Sequence, residues 1–424
     1  MTANPIPLEL LPDTAQIVED RLLIGGCDVI EVAERFGTSL FIYDEAHLRS
    51  RCREAVDAFG DGVAYASKAF LCKAMAKIAY EAGMEIDVAT GGEMHIALAA
   101  GVPGSSLVFH GNNKSSDELM LAIDSGIGRI VVDSFDEMDR IEALVAGGRP
   151  APGVLVRINP GIDAHTHEYL QTGIPDSKFG FPLTDGIAAK AIHTAQASEA
   201  MRFRGLHAHI GSQVFDVENY GKAIEALAPF VNESRVEEFS IGGGLGVAYV
   251  EGEEADTITV WAQTILAAAK ANGITAKILA EPGRSIVARA AVTAYTVGTI
   301  KDLPGVRTYV SVDGGISENP RPVLYGSGYE AMLPRSAEAA RPMQARIVGM
   351  HCEAGDIIVR EAHLPEDTVV GDILCTPVTG AYGHSMGSNY NKVARPAVVF
   401  VANGEARLVI ERETFDDMLV RDVG

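Results

Sequence analysis

Between about residue 45 and about residue 290, short runs of β-branched residues alternate with alanine-rich stretches that have helical spacing. Such alternation indicates parallel strands covered by helices. Eight strands, the number a TIM (β/α)8 barrel needs, are predicted: GVAYAS (62–67), EIDVA (85–89), SLVFH (106–110), RIVVD (129–133), GVLVRIN (153–159), FRGLHAHI (203–210), EEFSIGG (237–243) and AKILAE (276–281). A doubly wound open sheet gives a similar alternation, so the number of strands alone does not decide between the two architectures.

After about residue 290 the helical spacing fades, and runs such as AVTAYTVGTI, RTYVSVDG and GDIIVRE read as strands separated by turns. The run SLFIYD (39–44) also reads as a strand, which places the N-terminal segment with this second sheet. A chain of 424 residues is longer than one hydrophobic core usually supports. We therefore predict a barrel domain at 45–290 and an all-β domain built from 1–44 together with 291–424.

Composition narrows the function classes. The formal net charge of -22 would repel nucleic acid and anionic lipid headgroups, so neither is an expected partner. Five widely spaced cysteines without a CxxC pair suit neither a disulfide framework nor a zinc site, and no metal is expected. The N-terminus lacks a basic region followed by an apolar run, and no run of 18 uncharged apolar residues occurs. These features predict a cytoplasmic protein with no membrane span.

Chemically useful residues follow the predicted strands, where the active site of a barrel is built. Lys68 comes directly after the first strand in YASKAF, where its amine could form a Schiff base with an aldehyde cofactor or a carbonyl substrate. Most lysines are solvated surface charges, so this position alone is weak evidence.

Three further motifs follow later strands. GGGLG (242–246), after the seventh, could cradle a phosphate with its backbone N–H groups, although it could equally be an ordinary turn. EPGR follows the eighth: Glu281 could keep a pyridine nitrogen protonated and Arg284 could clamp a carboxylate, or the two could form a structural ion pair. His209, in HAHIGSQ, could lie against an aromatic ring and Ser212 could bind phosphate. Together with Lys68, these motifs describe a pyridoxal-phosphate site.

The chain resembles the pyridoxal-phosphate-dependent group IV decarboxylases of alanine-racemase-like fold, and among them the branch that makes lysine. The resemblance runs nearly from end to end and comprises YASKAF, DVATGGE, HGNNKS, RINPGIDAHTHEY, DSKFGF, GLHAHIGSQ, IGGGLG, EPGR, DGGISENPRPVLY, HCEAGD and TGAYGHSMGSNYN, in that order. So many ordered matches are far more specific than any one motif.

The resemblance implies pyridoxal 5'-phosphate as cofactor and decarboxylation of meso-2,6-diaminopimelate to L-lysine as the reaction. Lys68 would be the Schiff-base lysine, His209 would stack on the cofactor ring and Glu281 would meet the pyridine nitrogen. The remaining cofactor contacts implied are Ser212, Gly243, Gly244, Gly283, Arg284 and Tyr382.

The second domain would complete the site. Cys352 resembles the family's proton donor and Glu353 its partner for the distal amine of the substrate, both reaching into the active site of the other subunit of a homodimer. The distal carboxylate would be held by Arg284, Arg321 and Tyr325, with Tyr382 nearby, which is the main evidence for the substrate. Outside this family, Arg321 would read as a surface arginine.

Three positions depart from the family pattern. Ala354 stands where a serine usually follows Cys352 and Glu353, and Gly383 with His384 replaces a bulkier pair. These changes could alter the pocket wall or the dimer contact. The polar stretch DAHTHEYLQTG (163–173) is expected to be an active-site lid.

Three other functions compete with this assignment. They are a decarboxylase for arginine, ornithine or a carboxylated polyamine, a racemase of the same fold, and a catalytically inactive homologue that binds a partner. Arg321 and Glu353 speak against the first. No counterpart of the racemase's tyrosine base is identifiable. An inactive homologue need not keep Lys68, Glu281 and Cys352, all of which are present.

Overall fold

The computed structural model describes residues 5–161 and 177–424. The chain forms two compact units: the barrel unit, Arg51–Val247 with Ala255–Ser285, and the β-unit, Met1–Ser50 with Ala248–Glu254 and Ile286–Gly424. The grouping of the short segment at 248–254 with the β-unit was not predicted from the sequence. The domain bounds predicted above stay predictions, because spatial grouping does not test whether each part folds by itself.

The N-terminal part of the β-unit begins with three short antiparallel strands, β1 (Gln16–Val18), β2 (Arg21–Ile24) and β3 (Cys27–Asp28). Helix α1 (Val29–Phe36) follows at once, because the Asp28 carboxylate accepts hydrogen bonds from the N–H groups of Ile30 and Glu31. Strand β4 (Leu40–Asp44) and helix α2 (Glu45–Phe59) then lead into the barrel unit.

The described residues of the barrel unit contain nine strands: β5 (Ala64–Ala66), β6 (Glu85–Val88), β7 (Leu107–Phe109), β8 (Arg129–Val132), β9 (Gly153–Asn159), β10 (Phe181–Pro182), β11 (Arg202–His207), β12 (Glu238–Ser240) and β13 (Lys277–Leu279). Eight of these strands pair in parallel, each with the next along the chain. Strand β10 also pairs in parallel with β9 but lies outside that series. A parallel bridge between Val63 and Ala280 joins the first strand to the last. The sheet therefore closes, which confirms the TIM barrel and rules out the open sheet.

The helices of the barrel are α3 (Lys73–Glu81), α4 (Gly91–Ala99), α5 (Ser116–Asp124), α6 (Phe135–Ala146), α7 (Ile187–Ala197), α8 (Glu218–Ser234) and α9 (Ile258–Ala271), followed by a short α10 (Arg284–Val287). Four of them begin at a side-chain hydroxyl that accepts a backbone N–H: Thr90, Ser115, Ser134 and Thr257. No helix in the described part of the chain is long and apolar enough to cross a membrane.

The C-terminal part of the β-unit contains β14 (Ala291–Leu303), β15 (Arg307–Val312), α11 (Arg321–Tyr325), β16 (Met343–Val348), β17 (Ile357–Leu364), β18 (Ile373–Pro377), β19 (Ala397–Ala402), β20 (Glu405–Ile410) and α12 (Phe415–Leu419). The main sheet has the order β17-β16-β15-β14-β4-β19-β20, and β18 pairs with β14. Strand β4 thus lies between β14 and β19, which confirms that the N-terminal segment joins this sheet. The unit is mostly β rather than all β, because α1 packs Val29 and Val32 into the core of this unit.

Inside the barrel, five apolar side chains from different strands pack in one cluster: Ala64, Val108, Val131, Leu155 and Leu279. They fill the interior, so the barrel is a packed core rather than a pore.

A buried ion-pair network lies at the amino ends of the barrel strands. Arg129 begins β8, and its guanidinium donates to Glu238 at 2.6 Å and to Glu85 at 2.6 Å, which begin β12 and β6. Burial raises the pKa of Glu238, but hydrogen bonding and the charge of Arg129 lower it more, so the carboxylate is ionised. Charges at this end of a barrel support stability rather than catalysis.

Replacing Arg129 with alanine should therefore destabilise the barrel unit. Glu238 would keep a buried charge without its main partner, and breaking such a pair costs about 3–5 kcal/mol. Urea unfolding followed by circular dichroism should show a lower midpoint.

Arg149→Ala is the matched control, because Arg149 pairs with Asp124 at 2.9 Å on the surface. Loss of such a pair changes stability by less than about 1 kcal/mol. Equal midpoints for the two variants would contradict the assigned role of Arg129.

Candidate active site

The carboxyl ends of the barrel strands bring the polar residues to one rim. Lys68 lies in a 3-10 turn, Ser67–Ala69, directly after β5. His110 follows β7, His209 follows β11, and Glu281 comes two residues after the end of β13. Because all eight strands run in parallel, these ends meet at the same face of the barrel. Of the predicted site residues, this face carries Lys68, His209, Ser212, Gly243, Gly244, Glu281, Gly283 and Arg284.

Glu281 is the centre of a buried polar cluster. Ser240 Oγ donates to Glu281 Oε1 at 2.7 Å, and His207 Nε2 lies 3.0 Å from Glu281 Oε2. His110 Nε2 lies 3.6 Å from Glu281 Oε1 and 3.4 Å from Asp87 Oδ1. The rings of His110 and His207 meet edge to face with centroids 5.0 Å apart. Hydrogen bonds from Ser240 and His207 therefore fix the orientation of the Glu281 carboxylate.

The cluster pushes its two carboxyl groups to opposite protonation states. Burial raises the pKa of Glu281, but His207 and His110, together with the hydrogen bonds from His207 and Ser240, lower it well below its ordinary value. Burial raises the pKa of Asp87 well above its ordinary value, and the Glu281 charge raises it further. The pKa values of Glu281 and Asp87 are therefore pushed apart, which favours the ionised form of Glu281 and the protonated form of Asp87, the kind of pair that marks a site of proton chemistry.

His209 is a neutral aromatic ring at this rim. Burial, and then the charge of Lys68, lower its pKa well below the ordinary value. Its Nδ1 accepts a hydrogen bond from the Gly243 N–H at 3.2 Å, which leaves the ring proton on Nε2. A fixed, uncharged ring is suited to stacking on a flat cofactor.

The glycine-rich turn packs backbone against backbone. A Cβ atom at Gly243 would lie 2.1 Å from the carbonyl oxygen of Glu281, and one at Gly244 would lie 2.1 Å from that of Gly211. Gly244 also has a φ of +106°, which side-chain-bearing residues rarely adopt. Nearby, Arg284 Nη2 donates to Ser212 Oγ at 2.9 Å. The three loops after β11, β12 and β13 therefore form a small, tightly packed cradle with donors, which fits a phosphate group.

The Lys68 side chain is exposed, and its charge acts on several neighbours. Burial raises the pKa of Glu93, and the Lys68 charge opposes that rise, as it also does at Asp87. The amine is therefore reachable and close to the polar cluster. Its covalent role stays a prediction.

Four buried residues at this face were missed from sequence: Asp87, His110, His207 and Ser240. Three of them lie in the quoted motifs DVATGGE, HGNNKS and GLHAHIGSQ, but a buried histidine reads as an ordinary core residue. The spacing of His207 and His209 could have identified one of them. Residues two apart in an extended chain point to the same side, so His207 would be expected near the same site as His209.

His110, His207 and Glu281 are close enough to be considered as a metal site, with ligand atoms within 4.8 Å of one another. The direct hydrogen bond between His207 and Glu281 occupies two of those ligand atoms. The arrangement favours a hydrogen-bond network, and the expectation of no metal stays a prediction.

The β-unit holds the other predicted site residues: Arg321, Tyr325, Cys352, Glu353 and Tyr382. Arg321, which begins α11, is only 2 % exposed. Its guanidinium lies 4.0 Å above the Tyr249 ring, and Nη1 donates to the Tyr329 hydroxyl at 2.7 Å. Tyr249 and Tyr329 were not predicted. Tyr325 and Tyr382 are half-buried, and Tyr382 adopts a φ of +59°.

Arg321 is a buried cation surrounded by hydroxyl groups. Burial lowers its pKa, but the neighbouring tyrosines Tyr249, Tyr329 and Tyr382 raise it more. Within the described residues, Nε has no hydrogen-bond partner. The guanidinium therefore keeps its charge and has unused donors, as a site for a carboxylate requires.

Cys352 and Glu353 lie in an exposed loop, whereas the other four cysteines are buried. The Cys352 N–H donates to Asn391 Oδ1 at 2.8 Å. All five cysteines are free thiols. Cys352 is therefore the thiol most accessible to a reagent or a substrate.

The departures from the family pattern are partly explained. A Cβ at Gly383 would lie 3.0 Å from the Phe41 ring, and the His384 ring meets the same phenylalanine edge to face at 5.9 Å. Burial lowers the pKa of His384 to about 4, so this ring packs as a neutral group. Ala354 is exposed. The predicted lid at 163–173 lies outside the described residues.

Comparison with known proteins agrees with this geometry. Residues 45–288 match the family model described as "Pyridoxal-dependent decarboxylase, pyridoxal binding domain". The chain is 44% identical over 418 residues to diaminopimelate decarboxylase from Bacillus subtilis, covering 95% of each chain. It is 44% identical over 421 residues to the enzyme of that name from Mycobacterium tuberculosis, covering 94% of each.

Solved structures give the same result. Diaminopimelate decarboxylase from M. jannaschii superposes with a TM-score of 0.89 at 32% identity, covering 97% of this chain and 98% of that one. The Helicobacter pylori enzyme, complexed with L-lysine, gives 0.85 at 31% identity, covering 92% and 98%. A lysine/ornithine decarboxylase from Vibrio vulnificus, at 23% identity and a TM-score of 0.76, shows the fold alone.

The barrel, the polar rim and the matched model define the class: a pyridoxal-dependent decarboxylase, whose cofactor is pyridoxal 5'-phosphate. Identity above 40% over nearly the whole length then places the chain within that class. The chain belongs to the diaminopimelate decarboxylase family.

The Glu281 cluster makes a testable prediction. Ser240→Ala removes one donor to the Glu281 carboxylate, which should raise its pKa and move the acid limb of the pH–activity profile to higher pH. Because a hydrogen bond to a charged group contributes about 1.5–3 kcal/mol, affinity for pyridoxal phosphate should fall by at least about tenfold. Cofactor titration followed by absorbance measures the affinity.

Ser115→Ala is the matched control for this variant. Its hydroxyl caps α5 through the Glu118 N–H at 3.2 Å, away from Glu281, so cofactor affinity should not change. An unaltered acid limb and affinity in Ser240→Ala would contradict the role given to the serine.

Proposed function

We propose that this chain decarboxylates meso-2,6-diaminopimelate to L-lysine and carbon dioxide, the last step of lysine biosynthesis. Relatives at 44% identity carry the name diaminopimelate decarboxylase, and a structural neighbour was solved with L-lysine bound. The observation that carries the substrate assignment is the buried Arg321 guanidinium, which has unused donors for a second carboxylate.

The residues of the barrel rim fit the cofactor. Lys68 would hold it covalently, His209 would stack on its ring, and Glu281 would meet the pyridine nitrogen. The cradle of Ser212, Gly243, Gly244, Gly283 and Arg284 would hold the phosphate, with Tyr382 as a further contact. When bound, the cofactor spreads the electron pair that remains on the α-carbon after carbon dioxide leaves.

Glu281 has a specific electrostatic function in this proposal. Its charge persists in a buried position because His207 and Ser240 donate to both carboxylate oxygens. An anion fixed there favours a proton on the facing ring nitrogen. His209 is neutral, so it adds no charge that would oppose that proton.

Substrate recognition and the final proton come from the β-unit. Arg321, with Arg284 and Tyr325, binds the distal carboxylate, and Glu353 binds the distal amine. Cys352 protonates the α-carbon, since a thiol can act as a general acid. The cysteine donates on one fixed face, which makes the new C–H bond stereospecific.

The proposal includes a cytoplasmic homodimer in which Cys352 and Glu353 serve the active site of the partner subunit. Both residues are exposed in the single chain, next to Met350 at 56% exposure. Five free cysteines suit a reducing compartment.

Arg321→Ala tests the substrate assignment. D-Lysine keeps the reacting centre of meso-diaminopimelate and lacks the distal carboxylate, so the two compounds isolate that group. The ratio of kcat/KM for diaminopimelate to that for D-lysine should fall by about 100-fold, because truncating one partner of a buried charge pair costs about 2–5 kcal/mol. Steady-state carbon dioxide release gives both values.

Arg360→Ala, at an exposed position on β17, is the control and should keep the ratio unchanged. If Arg321→Ala keeps the ratio as well, the distal carboxylate is bound elsewhere. If the unmodified chain turned over arginine or ornithine in preference to diaminopimelate, the proposed substrate would be wrong and the chain would be a decarboxylase for another amino acid.

Subunit mixing tests the shared site. Lys68→Ala and Cys352→Ala should each be nearly inactive, whereas a mixture that exchanges subunits should recover about one quarter of full activity, since random pairing makes half the dimers mixed, each with one intact site. Activity is measured after mild dissociation and reassociation. A mixture that stays inactive, although light scattering shows dimers, would place both residues in the same subunit's site.

A further inference from the structure

A buried carboxylate, Asp356, lies beneath the loop that carries Cys352. Asp356 is 3 % exposed. Its Oδ2 accepts the His351 N–H at 2.9 Å and the Nδ1 proton of the same histidine at 2.8 Å. Its Oδ1 accepts the Ile316 N–H at 2.7 Å. One carboxylate therefore holds two chain segments that are distant in sequence.

The two segments are in close backbone contact around this carboxylate. The Met350 N–H donates to the Gly314 carbonyl at 2.9 Å, and the Gly349 N–H donates to the Asp356 carbonyl at 3.0 Å. A Cβ at Gly349 would lie 2.1 Å from Asp356 Oδ2, so no larger residue fits there without displacing the carboxylate. The segment at 313–316 continues within five residues into α11, which begins at Arg321.

The outer side of the Cys352 loop is held by a third segment. Asn391 accepts the Cys352 N–H at 2.8 Å, and the Tyr390 ring stacks on the His351 ring with centroids 5.8 Å apart and planes 8° apart. Cys352 itself remains exposed. The thiol is thus presented by a loop fixed on both sides.

We propose that Asp356 is a positioning residue that sets the place of the Cys352 thiol by tying its loop to the segment that leads to Arg321. The inference rests on the proposed function for the consequence of that placement, namely correct delivery of a proton. The geometry assigns Asp356 no contact with substrate; it acts through the backbone at His351 and Ile316.

Asp356→Asn tests this inference in the holoenzyme. Asparagine has one oxygen instead of two, so at least one of the three donors loses its acceptor and the loop shifts. Misplacement of a reacting group by about 1 Å can cost about 100-fold in rate, so kcat for diaminopimelate should fall by at least about tenfold while KM stays within about twofold.

Thiol reactivity gives a readout that loss of stability alone would not produce. Cys352 is the one exposed cysteine among the five, so iodoacetamide labelling of its peptide, followed by mass spectrometry, reports its surroundings. The labelling rate in Asp356→Asn should change by at least about threefold, and deuterium from heavy water should enter the product with reduced stereospecificity.

Asp372→Asn is the matched control, because Asp372 is also buried and accepts from Arg335 at 2.6 Å and from the Val369 N–H at 2.8 Å. Asp372→Asn should lower stability, but it should change neither the labelling rate of Cys352 nor kcat relative to KM. Equal changes in both aspartate variants, or none in Asp356→Asn, would overturn the inference.

Two further variants distinguish a wrong inference from a failure to fold and from a wrong assignment of the proton donor. If Asp356→Asn does not fold, Asn391→Gly removes the exposed outer acceptor and suits the φ of +50° at that position, so it should change Cys352 labelling at nearly unchanged stability. Unchanged labelling in this variant would count against a positioned loop. If Cys352→Ala keeps full kcat, the proposed proton donor is wrong, whereas the labelling comparison still decides whether Asp356 places the thiol.

Discussion

The hydrogen-bonded anion of Glu281 is the interaction on which the barrel site depends. A buried carboxylate without donors would take up a proton, and a neutral acid could not hold a proton on a facing pyridine nitrogen. His207 and Ser240 supply the donors, and each reaches Glu281 because it lies at the carboxyl end of its own strand. Barrel closure is also part of the electrostatics of the site, since it brings His110 and Asp87, from the β6–β7 side of the sheet, close to Glu281 after β13.

In the β-unit, the guanidinium of Arg321 is buried and keeps its charge. Arg321 is surrounded by tyrosines whose rings and hydroxyl groups stabilise the guanidinium while leaving donors unused. A structural carboxylate at that place would have neutralised the group, and Arg321 could not then select a dicarboxylate substrate as we propose. In the same unit, Asp356 and Asn391 hold the loop of Cys352 by accepting hydrogen bonds from the backbone N–H groups of His351 and Cys352.

Sequence predicted the parts of this account that depend on order along the chain. Eight strand runs predicted the barrel, which the structure confirms, and residues just past their ends, such as Lys68, His209 and Glu281, were correctly predicted to share one face of it. Residues whose importance comes only from tertiary contact were missed. His110 and Asp87 are ordinary in the sequence and meet Glu281 only when the barrel closes. Tyr249 reaches Arg321 because the segment at 248–254 groups with the β-unit, and nothing in the sequence indicated that.

The most direct test is lysine formation from meso-diaminopimelate by the purified chain with added pyridoxal phosphate, run beside arginine and ornithine and with a Lys68→Ala control. The account predicts yellow protein that makes lysine selectively, with colour and turnover both lost in the control. Turnover that survives in Lys68→Ala would contradict the assigned cofactor attachment. Yellow protein that prefers arginine or ornithine would contradict the substrate assignment, and colourless, inert protein would contradict the enzymatic function itself.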